Sequence, residues 1–284
     1  MFKQLNLPAI LLIMLCSAAA CNNKDSKVSA PVTSKDSTMN KPDSVKTENA
    51  DYTADGITMK GFIAYNETLN SLRPIVLIVP EWWGISDYTR SRATQLARMG
   101  YFAFAIDMYG EGKTAETPEE AEKLSAPFYG KTNIAIPRFR AAMDKAKTYL
   151  NADKSKIAAI GYCFGGTMVL NMARAGEPLL GVVSFHGNLP VYPTKKELLK
   201  ADMLICHGED DKFVSDAEVS AFKQQMDSLG AAYTFKTYPN ATHAFTNPAA
   251  TAKGIKYNIP VAYNAPADTA SFNEMKTFLQ RIFK

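Results

Sequence analysis

From Tyr52 to the end of the chain, short continuous apolar runs alternate with longer segments whose apolar residues recur every three or four positions. The runs 74–80 (PIVLIVP), 101–107 (YFAFAID), 156–162 (KIAAIGY), 179–186 (LLGVVSFH) and 202–208 (DMLICHG) have the unbroken apolar character of strands buried on both faces. Residues 232–238 (AYTFKTY) predict a further strand, and the alternation in 57–66 (ITMKGFIAYN) predicts paired antiparallel strands. Between these lie helical patterns. Tyr88, Ala93, Leu96 and Ala97 share one face and Gly100 stops that helix; Ile136, Phe139, Met143, Ala146 and Leu150 follow at 3-4-3-4 spacing. Residues 167–175 (TMVLNMARA) form the next helix. After it comes one with Val219, Phe222, Met226 and Leu229 inward, Ser215 and Glu218 as a capping box and Gly230 as its end. A last helix carries Phe272, Met275, Leu279 and Ile282. Strand and helix alternate throughout, so the fold class is α/β: a mostly parallel central sheet with helices on both faces, and function at the carboxyl ends of the strands.

The amino-terminal part reads differently. Lys3, the apolar run Leu7 to Leu15 and the small residues Ser17-Ala18-Ala19-Ala20 before Cys21 form a signal peptide over 1–21, because the run is shorter than the roughly 20 residues that span a bilayer. Its ending resembles a bacterial lipoprotein signal, which makes Cys21 the expected lipidation site and the protein an exported, periplasmic or cell-envelope one held to a membrane through a lipid anchor only. Residues 22–50 have no Leu, Ile or aromatic side chain and read as a flexible linker, leaving 51–284 as the folded domain.

Composition narrows the chemistry. The 284 residues suit one α/β domain plus a leader, and 46% hydrophobic content is ample for its core. A formal charge of +4 gives no argument for nucleic acid as a partner. The three histidines, His186, His207 and His243, show no metal-ligand spacing, and no dinucleotide or phosphate-loop fingerprint is present, so neither metal nor cofactor is expected. Of the four cysteines only Cys163 and Cys206 fall in the domain. Placed two strands apart, about 9.5 Å, they lie beyond the reach of a disulfide, and Cys206 is expected to be a small buried apolar residue.

Gly161-Tyr162-Cys163-Phe164-Gly165 stands where a strand turns into a helix and has the form of a nucleophile elbow. Such a turn lifts the nucleophile above the sheet at a helix amino end, which favours a thiolate. A structural cysteine beside packing glycines is the competing reading. In the chain order nucleophile, acid, histidine, His243 is the base, and His186 and His207 are strand-end or pocket-wall residues. Three carboxylates, Glu209, Asp210 and Asp211, compete as the acid that orients it.

Three motifs in this order, Gly161/Cys163/Gly165/Gly166, Gly208/Asp211/Val214 and His243/Phe245, resemble the dienelactone hydrolase family of the α/β-hydrolases over the chain from about Tyr52 onward. The resemblance selects Asp211 as the acid. It assigns Glu81, in Pro80-Glu81-Trp82-Trp83-Gly84, the task of helping to form the thiolate, and it puts the oxyanion hole at the backbone amides of Trp82 and Phe164. It implies a hydrolase of small ester or lactone substrates with a thioester intermediate and no cofactor. Family members bind a substrate carboxylate through arginines, one of them four residues after the histidine. Here that position is Asn247, and Lys113 is the candidate replacement cation. With Trp83, Phe128, Tyr129 and His186 as further pocket residues, a neutral ester or lactone is expected. A lipid-anchored binding protein with a dead pocket, and a peptidase or acyltransferase on the same fold, are the rival readings.

Overall fold

The computed structural model describes residues 44–130 and 132–284, so the leader, Cys21 and most of the linker lie outside the described residues. Eight strands form one sheet: β1 (Val45–Ala54), β2 (Ile57–Asn66), β3 (Arg73–Val79), β4 (Phe102–Ala105), β5 (Ala152–Tyr162), β6 (Gly181–Phe185), β7 (Asp202–Gly208) and β8 (Tyr233–Tyr238). They lie in the order β1-β2-β4-β3-β5-β6-β7-β8. β1 and β2 pair antiparallel, β2 joins β4 antiparallel, and every later pairing is parallel.

The helices are α1 (Asp87–Arg98), α2 (Pro118–Ser125), α3 (Thr132–Lys147), α4 (Phe164–Arg174), α5 (Asp216–Leu229), α6 (Ala250–Tyr257) and α7 (Ala265–Ile282). The central strands β3, β4, β6 and β7 and the carboxyl half of β5 are buried on both faces, and each face has its own core. On one side Phe139 and Met143 of α3, Met168 and Leu170 of α4, and Phe222 and Met226 of α5 pack on Ile75, Leu77 and Ile205. On the other, Ala93 and Leu96 of α1 and Met275, Phe278 and Leu279 of α7 cover Val76, Ile78 and Ile160. Each large apolar side chain so buried contributes about 1.5–3 kcal/mol. Among the described residues no helix is long and apolar enough to cross a membrane.

Four expectations are corrected. Residues 45–50, assigned to the linker by composition, are the first part of β1, paired from Val45 with Asn66 onward; a strand at the sheet's edge buries only alternate residues, so it needs no apolar run. Residues 57–66 are one strand, not two, because its partner is β1. Leu150 lies beyond the end of α3 and is 93% exposed. The cap of α5 is half of the box expected: Ser215 accepts from the Glu218 N–H, but the Glu218 carboxylate accepts from the Leu189 N–H at 2.9 Å. Cys163 and Cys206 are both free thiols, at the ends of strands separated by β6, and burial pushes the Cys206 thiol up to about 12.

The edge strand yields a prediction. A chain beginning at Asp51 loses the part of β1 that pairs with Gly61 to Asn66, which includes buried Ala50. It is expected to melt about 2–4 °C below one beginning at Ser44, the shift that follows from about 1 kcal/mol in a domain of this size; calorimetry of the two chains checks it.

Candidate active site

The chain runs from β3 outward to β4 and then returns to lay β5 on the other side of β3, so the winding reverses between β3 and β5. A crevice opens at such a reversal, above the carboxyl ends of the strands. Glu81 and Trp82 follow β3, Cys163 follows β5, Asp211 follows β7 and His243 follows β8. All converge there.

Cys163 has φ 53° and ψ −116°, a left-handed conformation that a side-chain-bearing residue adopts only under constraint. The constraint is local crowding. A Cβ at Gly161 would lie 2.0 Å from the Gly165 carbonyl oxygen, and one at Gly165 would lie 2.1 Å from that of Val79. Only glycines allow α4 to start directly on the strand ends. Cys163 therefore occupies the N-cap position of α4, half-buried, in a pocket it shares with Glu81, Trp82, Trp83 and His243.

The acid and base loops are held to each other by main-chain bonds. Glu209 N–H donates to the Tyr238 carbonyl and Asp210 N–H to the Ala241 carbonyl, both at 2.9 Å. This delivers the buried Asp211 carboxylate to His243: Oδ2 accepts from Nδ1 at 2.8 Å, and Oδ1 accepts from the Phe213 N–H at 2.9 Å. An ionised carboxylate only accepts, so the Nδ1 proton is fixed on the Asp211 side and Nε2 is left for Cys163. Burial opposes charge on His243. The nearby Cys163 sulfur and the Asp211 carboxylate bonded to Nδ1 outweigh it and raise the imidazole well above its usual range. The Phe213 ring lies 4.8 Å from the His243 ring and limits its rotation. Glu209 and Asp210 are exposed, so of the three carboxylates Asp211 alone meets the imidazole.

Glu81 is buried, and burial raises its pKa, while the Asn247 hydrogen bond and the charges of Lys253, His243 and Arg92 lower it. Asn247 Nδ2 donates to Glu81 Oε2 at 2.7 Å. The position that lacks an arginine is thus engaged with the glutamate. Trp82 is fixed from behind: Tyr109 Oη donates to its carbonyl at 2.9 Å, and Tyr109 itself sits on a loop whose amides at Tyr109, Gly110 and Gly112 converge on the Asp107 carboxylate.

Among the expected pocket residues, Trp83, Tyr129 and Asn247 line the cavity with Cys163 and Trp82. Three do not. Lys113 is paired with Glu111 at 2.9 Å and its side chain is 53% exposed, because the loop that Asp107 organises turns it outward. Phe128 is buried beneath the pocket floor, edge-on to Phe164 at 5.6 Å. His186 is fully buried behind the nucleophile. The sequence reading missed Lys253, whose Nζ lies 3.7 Å from the Trp83 ring centroid and which is the only lysine or arginine among the described lining residues. Burial lowers its pKa and Glu81 raises it. It sits on α6, whose one buried residue, Ala250, leaves no periodic signal to find.

Sheet order, elbow and crevice make the protein an α/β-hydrolase by fold. The profile of the dienelactone hydrolase family matches residues 59–283, and the chain belongs to that family. It is 29% identical over 202 residues to protein usf of Aquifex pyrophilus, covering 69% of this chain and 86% of that one. It is 28% identical, with the same coverage, to a putative carboxymethylenebutenolidase of Aquifex aeolicus. A dienelactone hydrolase-like promiscuous phosphotriesterase from metagenomic libraries superposes with a TM-score of 0.80 at 31% identity, over 85% of this chain and all of the other.

Asp211→Asn removes two of the influences that raise His243 and permits the wrong tautomer. The pH at which His243 loses its charge is expected to fall, seen by NMR titration of the ring, and turnover of an activated ester to drop by about three to four orders of magnitude.

Proposed function

We propose that the protein hydrolyses small carboxylic esters or lactones through Cys163. The observation that carries this reading is the His243 imidazole, locked by Asp211 at 2.8 Å and lining one cavity with a half-buried thiol at the amino end of α4. The Cys163 sulfur attacks the substrate carbonyl, and the oxyanion that forms is received by the amides of Trp82 and Phe164; such donors contribute about 3 kcal/mol each. Collapse to a thioester expels the alkoxide, which takes a proton from His243. Water then gives a proton to His243 and attacks the thioester, releasing the acid and the Cys163 thiolate. Glu81, freed from Asn247 when substrate enters, receives the thiol proton in the step that forms the nucleophile and returns it to the sulfur once the acid has left, so that Glu81, His243 and Cys163 all end as they began.

The lining also bears on the substrate. Trp82, Trp83, Phe213, Ile259 and Val261 suit an apolar acyl or aryl group. Lys253 adds a positive charge that the sequence reading, centred on Asn247 and Lys113, did not supply. An ester or lactone carrying a carboxylate therefore fits better than a wholly neutral one. The likeness to a promiscuous phosphotriesterase supports including phosphotriesters in any substrate panel, since the same sulfur and amides can receive a phosphoryl centre. The leader and Cys21 support export and a lipid anchor.

Cys163→Ala is expected to abolish hydrolysis of small aryl esters with the thermal transition unchanged, and wild-type protein quenched with acid during turnover should carry the acyl mass on Cys163. A Cys163→Ala protein that still turns over esters rejects the mechanism. Lys253→Met is expected to raise KM by about tenfold for a carboxylate-bearing ester and to leave a neutral ester of the same size unaffected, read from steady-state kinetics on the pair.

A further inference from the structure

His186 closes β6 with φ 42°, a left-handed conformation, and its ring is wholly buried. It lines no cavity given above and is too deep to touch substrate, yet each of its ring nitrogens is engaged. The Cys163 N–H is shared between the Phe185 carbonyl at 2.9 Å and His186 Nδ1 at 3.1 Å. Nδ1 therefore presents a lone pair, and the ring proton sits on Nε2, which donates to Thr246 Oγ1 at 2.8 Å. The Thr246 hydroxyl continues to Tyr88 Oη at 2.6 Å, and the Thr246 carbonyl accepts from Arg92 Nη2 at 2.8 Å.

Thr246 belongs to the same turn as His243. One imidazole thus ties the strained backbone of the nucleophile to the loop that carries the base. The groups packed around the ring are those of Tyr162, His243, Phe245 and Thr246, with Tyr88 and Arg92 of α1 beyond them. No carboxylate is among them. Burial, together with the charges of His243 and Arg92, holds His186 well below the usual histidine range, so it stays neutral and Nδ1 stays an acceptor.

We propose that His186 is a positioning residue that sets the alignment of the Cys163 sulfur with His243 by bonding the Cys163 amide on one side and Thr246 on the other. The inference rests on the reading of Cys163 as nucleophile, but its action is on geometry, so it bears on the reactivity of the thiol even where no ester is turned over.

The test compares wild type, His186→Leu, His186→Asn and Thr246→Val. Asparagine tolerates the left-handed backbone and places its amide oxygen near the position of Nδ1. With p-nitrophenyl acetate, His186→Leu is expected to lower kcat by about tenfold, as misplacement of a reacting atom does, with KM little changed. The rate of Cys163 alkylation by iodoacetamide at neutral pH should fall in parallel, and His186→Asn should recover most of both. Thr246→Val, which keeps the side-chain shape and removes the acceptor for Nε2, should move both readouts in the same direction. A folded His186→Leu with wild-type kcat and alkylation rate overturns the proposal, as does an Asn variant no better than the Leu variant. If His186→Leu does not fold, Thr246→Val decides: unchanged kcat and alkylation rate overturn it. Wild-type protein without esterase activity would refute the functional reading alone, because the alkylation comparison still stands.

Discussion

A Cβ on Gly165 would sit 2.1 Å from the carbonyl oxygen of Val79 and 2.6 Å from that of Pro80, so α4 can begin on top of the end of β3 only if this residue has no side chain. The contact sets two distances at once. It draws the amide of Phe164 toward the loop that carries the amide of Trp82, and it forces the turn before it into the left-handed conformation in which Cys163 projects above the sheet. Strain at that turn persists because both neighbouring strands are buried and registered, with Val79 paired to Gly161 and Gly161 to Ser184. The parallel sheet acts as the rigid base, and the elbow is the place where its rigidity is converted into a reactive geometry.

The electrostatics follow from what is buried beside what. Asp211, Glu81, His243 and His186 all lie in the interior, and each is treated differently. The Cys163 sulfur and the Asp211 carboxylate push His243 toward its charged form, while His186, with only cations and neutral groups around it, is held neutral. Glu81 is pulled between burial, which favours the protonated acid, and the Asn247 amide with Lys253, which favour the anion. Two histidines with ring centroids 5.3 Å apart are therefore pushed in opposite directions, one toward the form that moves protons and the other toward a fixed hydrogen-bond pattern.

Much of this was legible in the sequence. Buried parallel strands announce themselves as apolar runs, the glycines mark the elbow, and chain order separates His243 from the other two histidines. What was not legible has particular causes. β1 is an edge strand whose exposed positions carry Lys46, Thr47, Asn49 and Asp51, so its composition is that of a linker. α6 lies on the surface over the crevice with a single buried residue, and Lys253 was missed with it. The outward turn of Lys113 depends on amides gathered by Asp107, a three-dimensional arrangement that no spacing encodes. His186 is a strand-end residue by sequence, and only its two bonded nitrogens show it to be a bridge.

The two domain cysteines have one more consequence. Cys206 is sealed in the core against Tyr238, with β6 between its strand and the one that ends at the elbow. Oxidation of the thiol at 163 to a sulfenic acid would find no second thiol among the described residues with which to condense. Among the described residues there is no resolving partner within reach to return the sulfur to its reduced state, so within them recovery depends on a reductant that can enter the crevice, and without one the sulfur is open to irreversible over-oxidation.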